Sequence, residues 1–140
     1  MPYTIDWYIE NEIIYVAYSG VTTAEELEES LYTIKEMIES SPRHLVHVIS
    51  DVGDVTQSVK PLESLGIVRK VGNSPQSGWM IILREKSALI KFGVALGTTV
   101  FKSRNRTFDT LEQAVEFIKG MDTTLNWDAV NTVHDERTAS

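Results

Sequence analysis

The sequence predicts an α/β domain in which a mixed, mainly parallel sheet is packed by helices, in the order β-β-α-β-α-β-α-β-α. Two observations carry this. Runs of β-branched and aromatic residues alternate with segments whose apolar residues recur every three or four positions, and strands separated by helices pair in parallel through right-handed crossovers. Two of the runs, His44-Leu45-Val46-His47-Val48-Ile49-Ser50-Asp51 and Trp79-Met80-Ile81-Ile82-Leu83, are apolar almost throughout, as strands covered on both faces are. The first of these is read as the central strand.

The elements follow in order. Ile5, Trp7 and Ile9 alternate with polar neighbours, Glu10-Asn11-Glu12 interrupts, and residues 13–18 form a second β-rich run, which together predict an opening hairpin. Thr23-Ala24-Glu25-Glu26 is a capping box, and Ala24, Leu27, Leu31, Ile34 and Ile38 then fall on one helical face until Ser40-Ser41-Pro42 stops the helix. After Asp51, residues 52–59 are rich in turn formers and predict a loop. Residues 60–71 predict a second helix, with Pro61 in its first turn, Leu62, Leu65, Val68 and Val71 inward, and Gly66 allowing close packing on the sheet. Residues 79–83 are the next strand, residues 87–96 a third helix, and residues 98–102 the last strand. An Asp-x-x-Glu box at Asp109 and Glu112 opens the final helix, which buries Leu111, Ala114, Val115, Phe117, Ile118 and Met121. One domain over residues 1–125 is expected, with Leu125 and Trp127 docking on it and a partly disordered tail over 126–140.

Composition narrows the function. The absence of cysteine excludes disulfides, thiolate metal sites and cysteine nucleophiles. No basic segment precedes an apolar one at the N-terminus, and no 18 uncharged apolar residues run together, so a cytoplasmic soluble protein is expected. A net charge of -7 argues against nucleic acid as a partner, because phosphate contacts need clustered Lys and Arg. The charge is uneven: residues 1–59 carry -9, residues 60–106 carry +7 and residues 107–140 carry -5. Within the basic third, Arg84, Arg104 and Arg106 are a candidate anion patch.

Individual candidates are few. His47 lies inside the central strand without a metal-spaced partner and reads as a hydrogen-bonded structural residue; His44 and His134 do not supply one. Ligand sites in open α/β sheets gather beyond the carboxyl ends of strands, which draws attention to Asp51, Asp54 and Lys60 as a partner or ligand loop. Two aspartates alone do not make a metal site, and loop capping explains them. No metal or cofactor is called for.

Three segments resemble the STAS family of anti-anti-sigma-factor domains, in particular its SpoIIAA-like branch. They are residues 13–22 leading into an acidic helix, the central strand ending in Asp51, and Phe101-Lys102 through Phe108-Asp109-Thr110-Leu111-Glu112-Gln113-Ala114. The resemblance covers residues 5–121 and implies a STAS-like fold and a signalling role. The family carries an Asp-Ser-(Ser/Thr)-Gly turn whose first serine is phosphorylated; the matching segment here is Glu63-Ser64-Leu65-Gly66. It nominates Ser64 as phosphoacceptor, with Ser58 and Thr56 as alternatives in the preceding loop. Glu for Asp and Leu for the second hydroxyl predict a module without the usual serine switch.

The first functional reading is therefore a non-enzymatic regulatory module that binds another protein. The second, also implied by the SpoIIAA-like resemblance, is a module for a small apolar ligand or lipid, its pocket lined by Trp79, Met80, Phe92, Phe101 and Phe108. The third is an enzyme without a recognisable motif, since Gly-x-Ser-x-Gly, P-loop, dinucleotide and His-Glu-x-x-His signatures are missing. A homodimer through the hairpin edge is a further expectation.

Overall fold

The computed structural model describes residues 3–88, 90–91 and 104–130. Strands β1 (Tyr3–Ile9) and β2 (Ile13–Val21) form the hairpin, turning at Asn11 in a left-handed conformation (φ 65°). Helix α1 (Ala24–Ser40), strand β3 (Val46–Gln57), helix α2 (Pro61–Val71), strand β4 (Ser77–Leu83), strand β5 (Asn105–Phe108) and helix α3 (Leu111–Met121) follow. A short 3-10 turn at Trp127–Ala129 ends the described chain. The five strands lie in the order β1-β2-β3-β4-β5; the hairpin is antiparallel and every other pair parallel. The predicted mixed, mainly parallel sheet packed by helices is what forms.

Because consecutive parallel strands sit side by side, right-handed crossovers carry α1 and α2 to one face of the sheet, and α3, after the last strand, covers the other. Strand alternation sorts the core accordingly. Ile14, Val16, Tyr18, Val46 and Val48 meet Ile34 and Ile38 of α1, whereas Ile13, Tyr15, Ile49, Ile81 and Leu83 meet Leu111, Ala114 and Ile118 of α3 together with Leu125. Each fully buried isoleucine here contributes about 1.5–3 kcal/mol of transfer free energy. Trp127 packs beside this second cluster, with the Lys119 ammonium 5.1 Å from its ring centre.

Local signals hold where they involve only neighbours. Thr23 Oγ1 accepts from the Glu26 amide (3.2 Å), and Glu26 Oε1 accepts from the Thr23 amide (3.0 Å), which is the predicted capping box. The box expected at Asp109 and Glu112 is displaced by one residue. Thr110 is the cap, accepting from the Gln113 amide at 3.1 Å, while Gln113 Oε1 reaches back to the Asp109 amide; the Thr110 hydroxyl thus caps the helix in place of the Asp109 carboxylate.

Four other expectations are corrected. The central strand continues past Asp51 to Gln57, because Ser19, Gly20 and Val21 extend the ladder and the turn formers are absorbed in a bulge between Asp51 and Asp54. Residues 52–57 are thus strand. Leu62, Leu65 and Val68 face outward, at 80%, 57% and 49% exposure, and only Val71 of α2 is buried. Gly66 meets open space and packs on nothing. Met121 is exposed as well, at the end of α3 where the chain leaves the core.

The strand expected at residues 98–102 lies outside the described residues, and β5 pairs with β4 at Asn105–Phe108. Of the helix expected at 87–96, the start is described: the Lys91 amide donates to the Ser87 carbonyl (3.1 Å) and the Ile90 amide to Ser87 Oγ (3.3 Å). Among the described residues no helix is long and apolar enough to cross a membrane.

Ile118→Ala is expected to cost about 2–5 kcal/mol by emptying a fully buried site, and Thr23→Ala about 1 kcal/mol through loss of a cap. Urea unfolding of both variants checks this; an Ile118→Ala midpoint as close to wild type as that of Thr23→Ala contradicts the assignment of the α3 core.

Candidate functional site

Asp51, in the middle of β3 where the bulge begins, meets Arg84 just beyond the carboxyl end of β4. Its side chain is buried and points to the α3 face, as those of His47 and Ile49 do. Arg84 clamps it, with Nε donating to Oδ1 at 2.9 Å and Nη2 to Oδ2 at 3.0 Å; the Gly53 amide and the Tyr15 hydroxyl add bonds of 2.9 and 3.2 Å. Arg84 follows β4 in a left-handed conformation (φ 58°), uncommon for a side-chain-bearing residue. A Cβ on Gly53 would run into the guanidinium, so the bulge needs glycine for this arginine to lie across it. The charge of Asp51 is thereby met by a cation from the protein itself.

Asp54 is exposed and stands 3.6 Å from the same guanidinium. Arg84 is therefore paired with two carboxylates rather than grouped with Arg104 and Arg106. Those two lie at the start of β5, both exposed, with the Arg106 guanidinium 4.9 Å from the centre of the Phe117 ring, a cation-π contact. The three arginines do not form one patch.

Beyond the bulge, Thr56 and Ser58 are exposed and Lys60 is the exposed N-cap residue of α2. Ser64 is half-buried, its hydroxyl donating to the Val59 carbonyl at 3.4 Å and its amide to the Lys60 carbonyl at 2.8 Å. Along α2, Leu62, Leu65 and Val68 continue outward from this point, and the exposed Val21 ends β2 opposite Gln57. The feature that sequence reasoning missed is this exposed stripe. Its periodicity was visible; the direction it faces was not.

His47 occupies the opposite, amino end of β3. Nδ1 accepts from the Trp79 amide at 2.9 Å, so the proton of the neutral ring is on Nε2, donating to Asp122 Oδ2 at 2.8 Å. Arg43 also reaches Asp122 (3.3 Å) and Thr124 (2.7 Å). Both ring nitrogens are committed, and Gly78 leaves the space the ring needs. Burial pushes the His47 pKa below 6.5, opposed in part by the hydrogen bond and charge of Asp122. Partial burial pushes the Asp122 carboxyl up, but bonds from Thr124 and His47 prevail and hold it at about 2.

Among the described residues, Trp79, Met80 and Phe108 do not converge on a pocket. Trp79 stacks edge-on with Phe117 (4.7 Å) on the α3 face, while Met80 points to the α1 face, where it lines a crevice of about 50 Å³ between α1 and α2. Phe108 packs on Phe117, and Phe92 and Phe101 lie outside the described residues. An open depression of about 380 Å³ beside the start of α3 is lined by Lys91, Thr107, Phe108, Asp109 and Gln113, too polar a set for an apolar ligand. Among the described residues no three His, Asp or Glu side chains are grouped as metal ligands.

No family model matches the sequence. No curated protein matches it either. Among solved structures, the chain is similar to the anti-sigma factor antagonist SpoIIAA in its unphosphorylated form, with a TM-score of 0.56 and 14% identity over 84% of this chain and 98% of that one. The chain has the SpoIIAA-like fold. A DUF3478-family protein from Shewanella loihica PV-4, described as having a SpoIIAA-like fold, is similar at a TM-score of 0.56 and 12% identity, over 82% of this chain and 92% of that one. The SpoIIAA-like scaffold is shared; the Asp51–Arg84 clamp and the α2 stripe are argued from the side chains of this chain.

Two outcomes follow from the polar contacts. Arg84→Met leaves a buried carboxylate with two remaining partners and is expected to destabilise by about 1–3 kcal/mol, less than for a fully buried pair because water reaches this arginine; an unchanged urea midpoint contradicts the clamp. The unfolded chain protonates His47 near pH 6.5 while the folded chain keeps it neutral to lower pH, so the unfolded state binds more protons in that window. Stability is full above pH 6.5, declines below it, and declines again between pH 3.8 and about 2 as Asp122 is protonated. Urea midpoints from pH 7.5 to 5 measure the first decline, which His47→Gln flattens; an equal decline in that variant contradicts the account.

Proposed function

We propose that this chain is a non-enzymatic regulatory module that docks another protein on α2 and the adjoining ends of β2 and β3. The observation that carries this is the exposure of Leu62, Leu65 and Val68 along one flank of α2. Scattered exposed apolar residues are ordinary, but three at helical spacing on one helix form a stripe, and such surfaces on a folded domain mark sites of association. The likeness to SpoIIAA supports the reading at the level of scaffold, since that protein is itself an anti-sigma factor antagonist.

Chemistry at the same end of the molecule points to recognition. Asp51 is consumed by Arg84. Ser64 has its hydroxyl turned toward the Val59 carbonyl, which suits a structural role better than a kinase substrate. Thr56 and Ser58 are the accessible hydroxyls, and a phosphate on Ser58, two residues before the cap of α2, would alter the charge at the rim of the docking surface. Regulation without the Ser64 switch is the form this module takes, in a soluble cytoplasmic setting.

A photo-crosslinking residue at position 62 or 65, in cells that naturally make the protein, is expected to trap a discrete protein adduct, and the same residue at position 116 on α3 is not. In the position-62 background, Leu65→Asp lowers adduct yield by about tenfold or more, as loss of a central apolar anchor does. Equal adducts at 62 and 116, or none at 62 and 65, contradict the proposal.

A further inference from the structure

We infer that a second copy of this chain pairs with it edge to edge, β1 against β1 in antiparallel register about a two-fold axis at Ile5, joining two five-stranded sheets into one. The inference is independent of the docking reading of α2 and concerns the outer edge of the sheet beyond β2.

The direction of the backbone groups of β1 follows from β2. The Glu12 carbonyl accepts from the His47 amide at 3.0 Å, and past the far end of the strand the Thr22 amide donates to the Gln57 carbonyl at 2.9 Å. The extra residues where the β2–β3 register shifts all belong to β3, so β2 keeps its alternation throughout. Its even-numbered residues therefore turn N–H and C=O toward β3 and its odd-numbered ones toward β1. In the antiparallel hairpin, Ala17 and Tyr15 then exchange bonds with their register partners Thr4 and Asp6. Tyr3, Ile5 and Trp7 point their backbone groups outward from the last strand of the sheet. Among the described residues, none of these three has a backbone partner on that side.

This edge has definite limits. Pro2 has no amide N–H to offer, and the hairpin register shifts between Trp7 and Ile9. The regular edge is thus residues 3–7, and Ile5 is its midpoint. The usual devices that blunt an edge strand are missing from it, since Tyr3–Ile9 contains no Lys, Arg or Pro. Tyr3, Ile5 and Trp7 are only half-buried, packing against the apolar cluster under α1 with their remaining surface open at the flank of the sheet.

Self-complementarity selects the second copy and its register. With the axis at Ile5, that residue meets its own equivalent and Tyr3 meets Trp7 of the other copy, each pair exchanging bonds through the outward groups. Aliphatic and aromatic side chains then pair across the junction on the α1 face, and on the other face Thr4 stands opposite Asp6. An axis at Asp6 sets two carboxylates against each other, and an axis at Thr4 slides Trp7 past Pro2. The axis is perpendicular to the sheet, so both α1 helices lie on one face. The Tyr3 hydroxyl donates to Glu29, which places acidic α1 near this edge, and salt that screens its charge favours association. Helix α2 joins β3 to β4, two strands in from the edge, so each dimer carries two α2 stripes.

The test uses the full chain, which has no cysteine of its own. Thr4→Cys and Asp6→Cys put thiols at two exposed positions of β1. In the inferred register these face each other with Cα atoms about 4.5 Å apart, whereas two copies of the same variant hold theirs about 8 Å apart, beyond disulfide reach. Mild oxidation of an equal mixture is expected to join Thr4→Cys to Asp6→Cys at least about tenfold faster than either variant joins to itself. Sedimentation equilibrium of the unmodified chain is expected to show a monomer–dimer equilibrium that tightens with added salt. Ile5→Pro removes an outward N–H and breaks no bond of the hairpin, and it weakens the dimer about tenfold or more. Leu62→Ser with Leu65→Ser leaves the dimer unaltered. Faster self-joining of either cysteine variant overturns the inferred register. A chain that stays monomeric, a dimer that weakens with salt, a dimer undiminished by Ile5→Pro, or one lost in the α2 variant overturns the edge pairing. The docking reading stands or falls separately, on the crosslinks at positions 62 and 65.

Discussion

Everything in this structure depends on β3 being covered on both faces. With two strands on either side of it in the sheet, both edges of β3 are paired, and its first half, residues 46–51, is covered on both faces. Val46 and Val48 take α1, and Ile49 takes α3. The sequential strand order leaves α1 and α2 sharing one face while α3 covers the other. Since α1 already seals the first face over the hairpin and β3, α2 rests against α1 through its Val71 end and is left with an apolar flank outside. The proposed docking surface is thus a consequence of how the sheet is covered.

The same strand carries two polar side chains into the core, and each is admitted only because its hydrogen bonds are met. His47 is bonded through both nitrogens and Asp51 through four donors. Each requires a glycine beside it, Gly78 for the imidazole and Gly53 for the guanidinium that meets Asp51. These groups tie β3 to β4 and to the end of α3. They are spent on cohesion, and the proposed recognition surface lies elsewhere, on the α2 side of the molecule.

What could be read in the sequence was whatever neighbouring residues decide. The capping box at Thr23 and Glu26, the stop after Ser40, Pro61 at the start of α2 and the buried runs of β3 and β4 are local, and the fold class followed from their order. The end of β3 was not local: residues 52–57 look like a loop until Ser19, Gly20 and Val21 are placed beside them. The pairing of Asp51 with Arg84 spans 33 residues, and nothing in the spacing announces it. Periodicity correctly marked Leu62, Leu65 and Val68 as one face of a helix, but a period states that a face is apolar and is silent on what lies opposite. The candidate site was legible as a region, and its decisive feature was misassigned to the core.

Because the chain contains no cysteine, single cysteines can report on that assignment directly. The measurement is the thiol-labelling rate of Leu62→Cys, Leu65→Cys, Ile34→Cys and Ile118→Cys under native conditions. An exposed α2 stripe predicts that positions 62 and 65 react within about threefold of a short unfolded peptide, while positions 34 and 118 are protected by about a hundredfold or more. Protection at 62 and 65 comparable to that at 34 and 118 would contradict the account, because the stripe would then be core and no docking surface would exist.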